Sequence, residues 1–199
     1  MKKKLFVLVL SVFMLAMLFA AKPEASANGQ VSMGSWNGRV YTNDFLGLKF
    51  KLPDGWTRYG DEEMAEIMHL GTELLDDNQK YLAELAKLNI VYYILVNNPA
   101  TGDNVVIMTE KSALDYTIDY YLDAVKAQLL NLESIDYEVS DSFKEKIAGK
   151  EYSAIVANVS GVNMTQKYYA RKLDKHFLAI IVTSRNGEDA INKIMKNFE

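Results

Sequence analysis

The sequence FLAIIV at residues 177–182 is apolar at every position, so a strand formed by it would be buried on both faces. The segment YSAIVANV at residues 152–159 is similar, because both of its alternating sets of side chains are rich in apolar residues. A sheet that contains such strands needs cover on both faces. The pattern therefore predicts a central sheet that lies between two outer layers.

Short joints between neighbouring β-type segments predict that the strands of this sheet are antiparallel. The joints at 148–149, 160–161 and 174–176 are only a few residues long, whereas a parallel crossover needs about a dozen residues or more. The strands predicted for the sheet are 90–96, 105–109, 135–140, 143–147, 150–159, 162–173 and 177–183, and two further short strands are predicted at 39–42 and 48–52.

Helical periodicity marks the segments that can cover this sheet. Residues 61–88, beginning at Asp61, predict two short helices or one bent helix. Ser112 with Asp115 resembles a capping box and predicts the start of a second helical region. Its apolar stripe is Leu114, Ile118, Tyr121, Leu122, Val125, Leu129 and Leu132. A final helix capped by Asn186 is predicted to bury Ile191, Ile194, Met195 and Phe198. The predicted class is α+β, a three-layer α/β/α sandwich with a central antiparallel sheet.

Residues 1–27 have the pattern of a secretory signal peptide. Lysines at positions 2–4 precede an apolar run of 17 residues at 5–21, and small residues precede the expected cleavage site before Asn28. The alternative is a retained membrane anchor, although 17 residues is at the short end of the range that spans a bilayer. We expect cleavage, a secreted or cell-envelope location, and no membrane insertion of the mature chain. Residues 28–38 are predicted to be a flexible lead-in and 39–199 a single domain.

The net charge and the absence of cysteine exclude several classes of partner and of chemistry. The formal net charge is −4, and loss of the leader, which holds four lysines and one glutamate, makes it more negative. An acidic surface argues against nucleic acid and anionic lipid as partners, because both would be repelled. The sequence has no cysteine, which excludes disulfides, thiolate metal sites and cysteine catalysis. An exported chain of this kind is held by its core alone, a composition common in bacterial exported proteins.

The segment YTNDFLGLKFKLPDGW at residues 41–56 carries a resemblance to a known family. Its matching positions are Tyr41, Asn43, Gly47, Phe50, Pro53, Gly55 and Trp56, in the pattern Y-x-N … G-x-x-F-x-x-P-x-G-W. This opening resembles that of the PsbP-like proteins, named for an extrinsic subunit of the oxygen-evolving photosystem, and the order of elements along 39–199 is similar. The resemblance implies an antiparallel sheet between helices and a role in binding or assembly. The motif residues themselves are typical of a hairpin, a turn and a core tryptophan, so no set of functional residues is carried over.

Twelve tyrosines are the least ordinary feature of the composition. Adjacent pairs in predicted strands point to opposite faces, so Tyr93 and Tyr169 are candidates for an outward contact surface. Tyr116 and Tyr120 would lie close together near Asp123 and partly away from the apolar stripe of their helix. Exposed tyrosine favours contact surfaces, because it offers a large area at low entropic cost. The alternative, which we favour, is that each ring covers a sheet edge or a helix seam with its hydroxyl in water.

One weak polar cluster and several missing motifs bear on catalysis. Glu66, His69 and Glu73 would share one face of the first predicted helix, as in a carboxylate–imidazole metal site or an acid–base cluster. We favour a solvated helix face, because no third strong ligand lies nearby in sequence. His176 is expected to be a turn residue. The sequence lacks the calcium-loop, nucleophile and phosphate-binding motifs. We therefore predict no catalytic residue, no metal and no cofactor.

These observations favour an exported, non-enzymatic module that binds a protein or a small-molecule ligand at the cell envelope. The alternative is an extracytoplasmic hydrolase that uses dispersed carboxylates, which two carboxyl groups facing each other across a deep cleft would favour. A third hypothesis is a small-molecule carrier with a pocket between the segment 61–88 and the sheet.

Overall fold

The computed structural model describes residues 32–60, 62–64, 89–112, 114–132 and 135–199. Residues 62–64 are helical, and the remainder of the predicted helical segment 61–88, with its cap Asp61, lies outside the described residues. The predicted signal peptide at 1–27 lies outside them as well. The elements of the described ranges are β1 (Ser35–Asn37), β2 (Val40–Asn43), β3 (Leu48–Lys51), β4 (Thr57–Arg58), β5 (Ile90–Asn97), β6 (Asn104–Lys111), α1 (Ile118–Leu130), β7 (Tyr137–Val139), β8 (Phe143–Ile147), β9 (Lys150–Val159), β10 (Met164–Leu173), β11 (His176–Ser184) and α2 (Gly187–Met195).

The large sheet has eight strands, and all of its pairs are antiparallel, as predicted. Seven strands lie in the order β4-β5-β6-β11-β10-β9-β7, and β8 pairs with the part of β9 that β7 leaves open. The joint between β8 and β9 is a two-residue turn in which Ala148 and Gly149 have φ of 50° and 76°. Positive φ at both positions is the requirement of a tight hairpin turn that matches the strand twist.

Helix α1 covers one face of this sheet. It buries Tyr121, Leu122, Val125 and Leu129 against apolar side chains of β5, β6, β9, β10 and β11. The prediction of its start was wrong, because the helix is capped by Thr117, whose side chain accepts a hydrogen bond from the Tyr120 N–H. Ser112 instead donates to the Leu114 carbonyl at 2.6 Å.

The opposite face is covered by α2 together with a second, three-stranded sheet of order β1-β2-β3. Leu48 and Phe50 of β3 and Ile191 and Ile194 of α2 lie in one core cluster with the sheet residues. Asn186 occupies the N-cap position of α2, as predicted, but its side chain makes no cap hydrogen bond. The α+β class with a central antiparallel sheet covered on both faces is confirmed. The small sheet is an addition to the helical layer on this side.

Strand β8 lies at an edge of the large sheet and is short and charged. Its sequence is FKEKI, and Lys144 and Lys146 are exposed. Charged, short edge strands discourage pairing with the edges of other chains.

Candidate functional site

The residues of the Y-x-N motif are structural. The Tyr41 hydroxyl donates to the Met33 carbonyl at 2.6 Å, and the Asn43 amide donates to the Ser32 carbonyl at 2.8 Å and to the Tyr41 oxygen at 2.9 Å. The Asn43 side-chain oxygen accepts from the Leu46 N–H at 3.0 Å. Asn43 is buried, and its amide holds the β2–β3 turn and the segment before β1 together.

Replacing Asn43 by alanine is expected to lower the free energy of unfolding by about 2 kcal/mol, because the buried hydrogen bonds to the Leu46 N–H and the Tyr41 hydroxyl and the part-buried one to the Ser32 carbonyl are lost. Denaturant unfolding measures this difference. The matched control is Lys49→Ala, an exposed position on β3, for which we expect a change within about 0.5 kcal/mol. Equal effects of the two substitutions would contradict a structural role for the motif.

Two of the four tyrosines proposed for a contact surface lie in the core, which corrects that prediction. Tyr169 is fully buried, and Tyr93 is buried with its hydroxyl 3.2 Å from the Thr109 hydroxyl. The physical reason is that both faces of the sheet are covered, so neither side of a strand offers an outward position. An irregularity in the pairing of β5 with β6 next to Tyr93 also places Tyr93 and Ile94 in the same core cluster.

The other two tyrosines form a stacked pair at the start of α1. The rings of Tyr116 and Tyr120 have centroids 4.4 Å apart and planes 14° apart. Tyr120 is 51% exposed. Leu114, which the sequence placed in the buried stripe of the helix, is 60% exposed because the helix begins only at Ile118. We call Leu114, Tyr116 and Tyr120 the aromatic patch.

The aromatic patch is tied to the sheet by one lysine of β10. The Lys172 ammonium group donates to the Tyr116 carbonyl at 2.8 Å and forms an ion pair with Asp115. The hydrogen bond and the positive charge of Lys172 lower the pKa of the Asp115 carboxyl. Asp119 and Asp123 are exposed on the adjoining turns of α1, so the border of the patch is acidic.

The remaining candidates for chemistry are the cluster Glu66, His69 and Glu73 and the histidine His176. Glu66, His69 and Glu73 lie outside the described residues. Within the described ranges, no three histidine or acidic side chains converge as metal ligands. His176 begins β11 rather than lying in the preceding turn, and its ring packs edge-on against Phe45 at 5.9 Å. Burial and the nearby charge of Lys111 lower the pKa of His176.

An open depression of about 230 Å³ lies at the β2–β3 turn. Its lining includes two acidic residues, Asp44 and Glu199. It is lined by Thr42, Asn43, Asp44, Gly47, Leu48, Lys49 and Glu199. Its volume is below the roughly 300–1,000 Å³ of typical ligand pockets. It is not the deep cleft that the hydrolase hypothesis requires.

Three buried polar residues were missed by sequence reasoning. Glu110, Gln166 and Lys167 all lie in strands and are buried in the structure. For Gln166 and Lys167 the available signal was a polar or charged residue inside the predicted strand 162–173, whereas Glu110 follows directly after the predicted strand 105–109. No helix within the described residues combines the length and the apolar character needed to cross a bilayer.

An eight-stranded antiparallel sheet with cover on both faces defines a layered α+β fold. No protein-family model and no curated protein matches the sequence. The structure is similar to the solution structure of cyanobacterial PsbP (CyanoP) from Synechocystis sp. PCC 6803, with a TM-score of 0.51 and 10% identity over 88% of this chain and 98% of that chain. The chain therefore has a PsbP-like fold, as the sequence resemblance implied.

Two further solved structures match less closely. One is LpqN, described as involved in cell envelope biogenesis of Mycobacterium tuberculosis, with a TM-score of 0.43 and 14% identity over 76% of this chain and 81% of that chain. The other is a protein of Bacteroides thetaiotaomicron VPI-5482, with a TM-score of 0.39 and 14% identity over 81% of this chain and 48% of that chain.

Proposed function

We propose that the chain is an exported, non-enzymatic module that binds a protein partner at the cell envelope through the aromatic patch. The observation that carries this proposal is the 51% exposed ring of Tyr120, stacked on the partly buried ring of Tyr116, together with the 60% exposed side chain of Leu114 in the segment just before the helix. Large aromatic and aliphatic side chains held rigidly at a surface are typical of the residues that dominate binding energy at protein interfaces. Export is supported by the signal-peptide pattern of residues 1–27.

The construction of the patch supports binding by a preformed surface. Tyr116 is held by Lys172 through its backbone carbonyl, and Tyr120 is held by the first turn of α1. Rings that are already ordered lose little conformational entropy when a partner packs on them. Apolar side chains at the centre and carboxylates at the border match the usual division of an interface into a core and a polar rim.

The test is capture of envelope proteins by the processed chain, whose N-terminus is first verified as Asn28, followed by titration of the purified captured protein. The double substitution Leu114→Ser with Tyr120→Ser is expected to weaken binding at least about 30-fold, the effect of losing one strong interface residue. The matched control is Leu130→Ser, since Leu130 is 52% exposed at the far end of the same helix. Equal binding by the unsubstituted chain, the double variant and Leu130→Ser would refute the proposal.

A further inference from the structure

Glu110 is an acidic side chain enclosed in the core. It lies in β6 with 0% exposure, and neither of its carboxyl oxygens has a hydrogen-bond partner. Burying an ionised carboxylate without compensation is costly, so such a group is held in its neutral form. Burial accordingly raises the pKa of Glu110 to about 8.

Glu110 belongs to a row of side chains that crosses the sheet beneath the start of α1. In register, it lies between Ile90 of β5 and Phe177 of β11, and Phe177 in turn lies opposite Lys172 of β10. The rings of Phe177 and Tyr121 stack at 4.4 Å with planes 18° apart. This row therefore supports the first turn of α1, which carries Tyr120.

The groups that face Glu110 offer it no counter-charge among the described residues. The titratable neighbours are Tyr92 of β5 and Tyr121 of α1, and burial raises the pKa of both hydroxyls, so they stay neutral where Glu110 titrates. Tyr168 of β10 lies next to Tyr121, and burial raises its pKa as well. Lys172 is on the same face, but its ammonium group is bound to Asp115 and to the Tyr116 carbonyl.

The titratable residues that follow Glu110 in β6 and precede Phe177 in β11, Lys111 and His176, lie on the other face of the sheet. Lys111 follows Glu110 in β6 and pairs with His176, whose ring packs on Phe45 on the opposite face. Alternation along a strand places Lys111 on the face away from Glu110. Neither residue can therefore neutralise an ionised Glu110 without moving through the sheet.

We propose that Glu110 is a protonation switch, which holds the first turn of α1 and the aromatic patch in place when neutral and loosens them when ionised. The link runs from Glu110 to its cross-strand neighbour Phe177, from Phe177 to the stacked ring of Tyr121, and from there to Tyr120. As a control of partner binding, the switch rests on the proposed function. The switch itself is a property of the isolated chain.

The direction of the pH effect follows from the pKa of the folded state, which at about 8 is above the ordinary value of 4.5. The folded chain binds the proton more tightly than the unfolded chain. The contribution of Glu110 to stability is therefore complete below pH 4.5 and is lost as the pH rises through 8.

The test compares thermal unfolding midpoints from pH 5 to pH 9.5, together with hydrogen-exchange protection of residues 114–121. In the unsubstituted protein we expect the midpoint to fall by several degrees over this interval and protection to fall at 114–121 before it falls in β9. Glu110→Gln should remove both dependences. The matched control, Glu138→Gln at an exposed position of β7, should leave them unchanged.

A second measurement needs no substitution. Carbon NMR of the glutamate carboxyl groups should show one group that titrates near pH 8. A flat profile of the unsubstituted protein, a parallel fall in Glu110→Gln, or the absence of a carboxyl group titrating near pH 8 would overturn the switch. None of these readouts requires a partner, so they are independent of failure of the proposed function.

Discussion

Replacing Gln166 by leucine is expected to lower the free energy of unfolding by about 3 kcal/mol. Gln166 is fully buried in β10, and its side-chain oxygen accepts from the Tyr137 hydroxyl at 3.0 Å and from the Tyr168 hydroxyl at 2.9 Å. Its amide nitrogen donates to the Thr183 hydroxyl at 3.3 Å. Leucine leaves the hydroxyl groups of Tyr137, Tyr168 and Thr183 buried without these partners. A buried polar group that loses its partner destabilises the folded state by its desolvation free energy. Urea unfolding measures the loss.

A double-mutant cycle distinguishes this network from a simple change of shape. Tyr137→Phe and Tyr168→Phe should each cost about 1 kcal/mol in the unsubstituted protein. In the Gln166→Leu background the same substitutions should cost almost nothing or be stabilising, since the hydroxyls no longer have their acceptor. Strictly additive effects would contradict the network.

Replacing Glu145 by leucine is expected to lower the free energy of unfolding by about 3 kcal/mol, because a buried ammonium group loses its counter-ion. Lys167 of β10 is 6% exposed at its side chain, and its nitrogen lies 2.6 Å from the Glu145 carboxylate. The same nitrogen lies 5.2 Å from the ring centroids of both Phe143 and Tyr169. Glu145 is 33% exposed, so the expected loss is at the lower end for broken buried pairs.

The control for this ion pair is a comparison of the stability losses caused by Lys167→Met, by Glu145→Leu and by both together. Lys167→Met should cost less than Glu145→Leu, because the carboxylate that it leaves behind can still reach water. The combination of both substitutions should recover stability to within about 1 kcal/mol of the original, since no uncompensated charge remains. Chemical denaturation of the unsubstituted protein, the two single variants and the double variant measures these differences in the free energy of unfolding. If Lys167→Met proves more destabilising than Glu145→Leu, the ion pair is not what holds this region.

The strands could be predicted closely because their signals are local. β8 and β9 have the predicted bounds, Phe143–Ile147 and Lys150–Val159. Apolar runs and the predicted short joints at 148–149 and 174–176 are properties of a few neighbouring residues, and such joints leave only antiparallel pairing. Cover on both faces followed in the same way from strands without a polar side.

The start of α1 could not be predicted, because a tertiary contact sets it. Lys172, far along the chain, binds Asp115 and the Tyr116 carbonyl. These contacts hold residues 115–116 against β10, and the helix begins after them, with Thr117 as its N-cap. Ser112 and Asp115 had the right spacing for a capping box, but their side chains are used elsewhere.

The sequence brought Tyr116 and Tyr120 together by assuming that both lie on one helix. Their rings do stack, but Tyr116 precedes the cap Thr117, so the contact joins the segment before the helix to its first turn. Tyr93 and Tyr169 were misplaced, since exposure depends on layers contributed by distant segments. Glu110 was missed for the same reason, as a glutamate at the end of a strand is ordinarily in water and only the overlying layer encloses it.

The charged edge strand β8 also bears on how copies of this chain behave when concentrated. Lysines at 144 and 146 repel an identical strand brought alongside, so we expect the molecules not to polymerise by joining their sheets end to end. Association with other molecules is then left to side-chain surfaces such as the one around Tyr120. In a chain without cysteine, such a strand lowers the tendency of concentrated copies to extend one another's sheets.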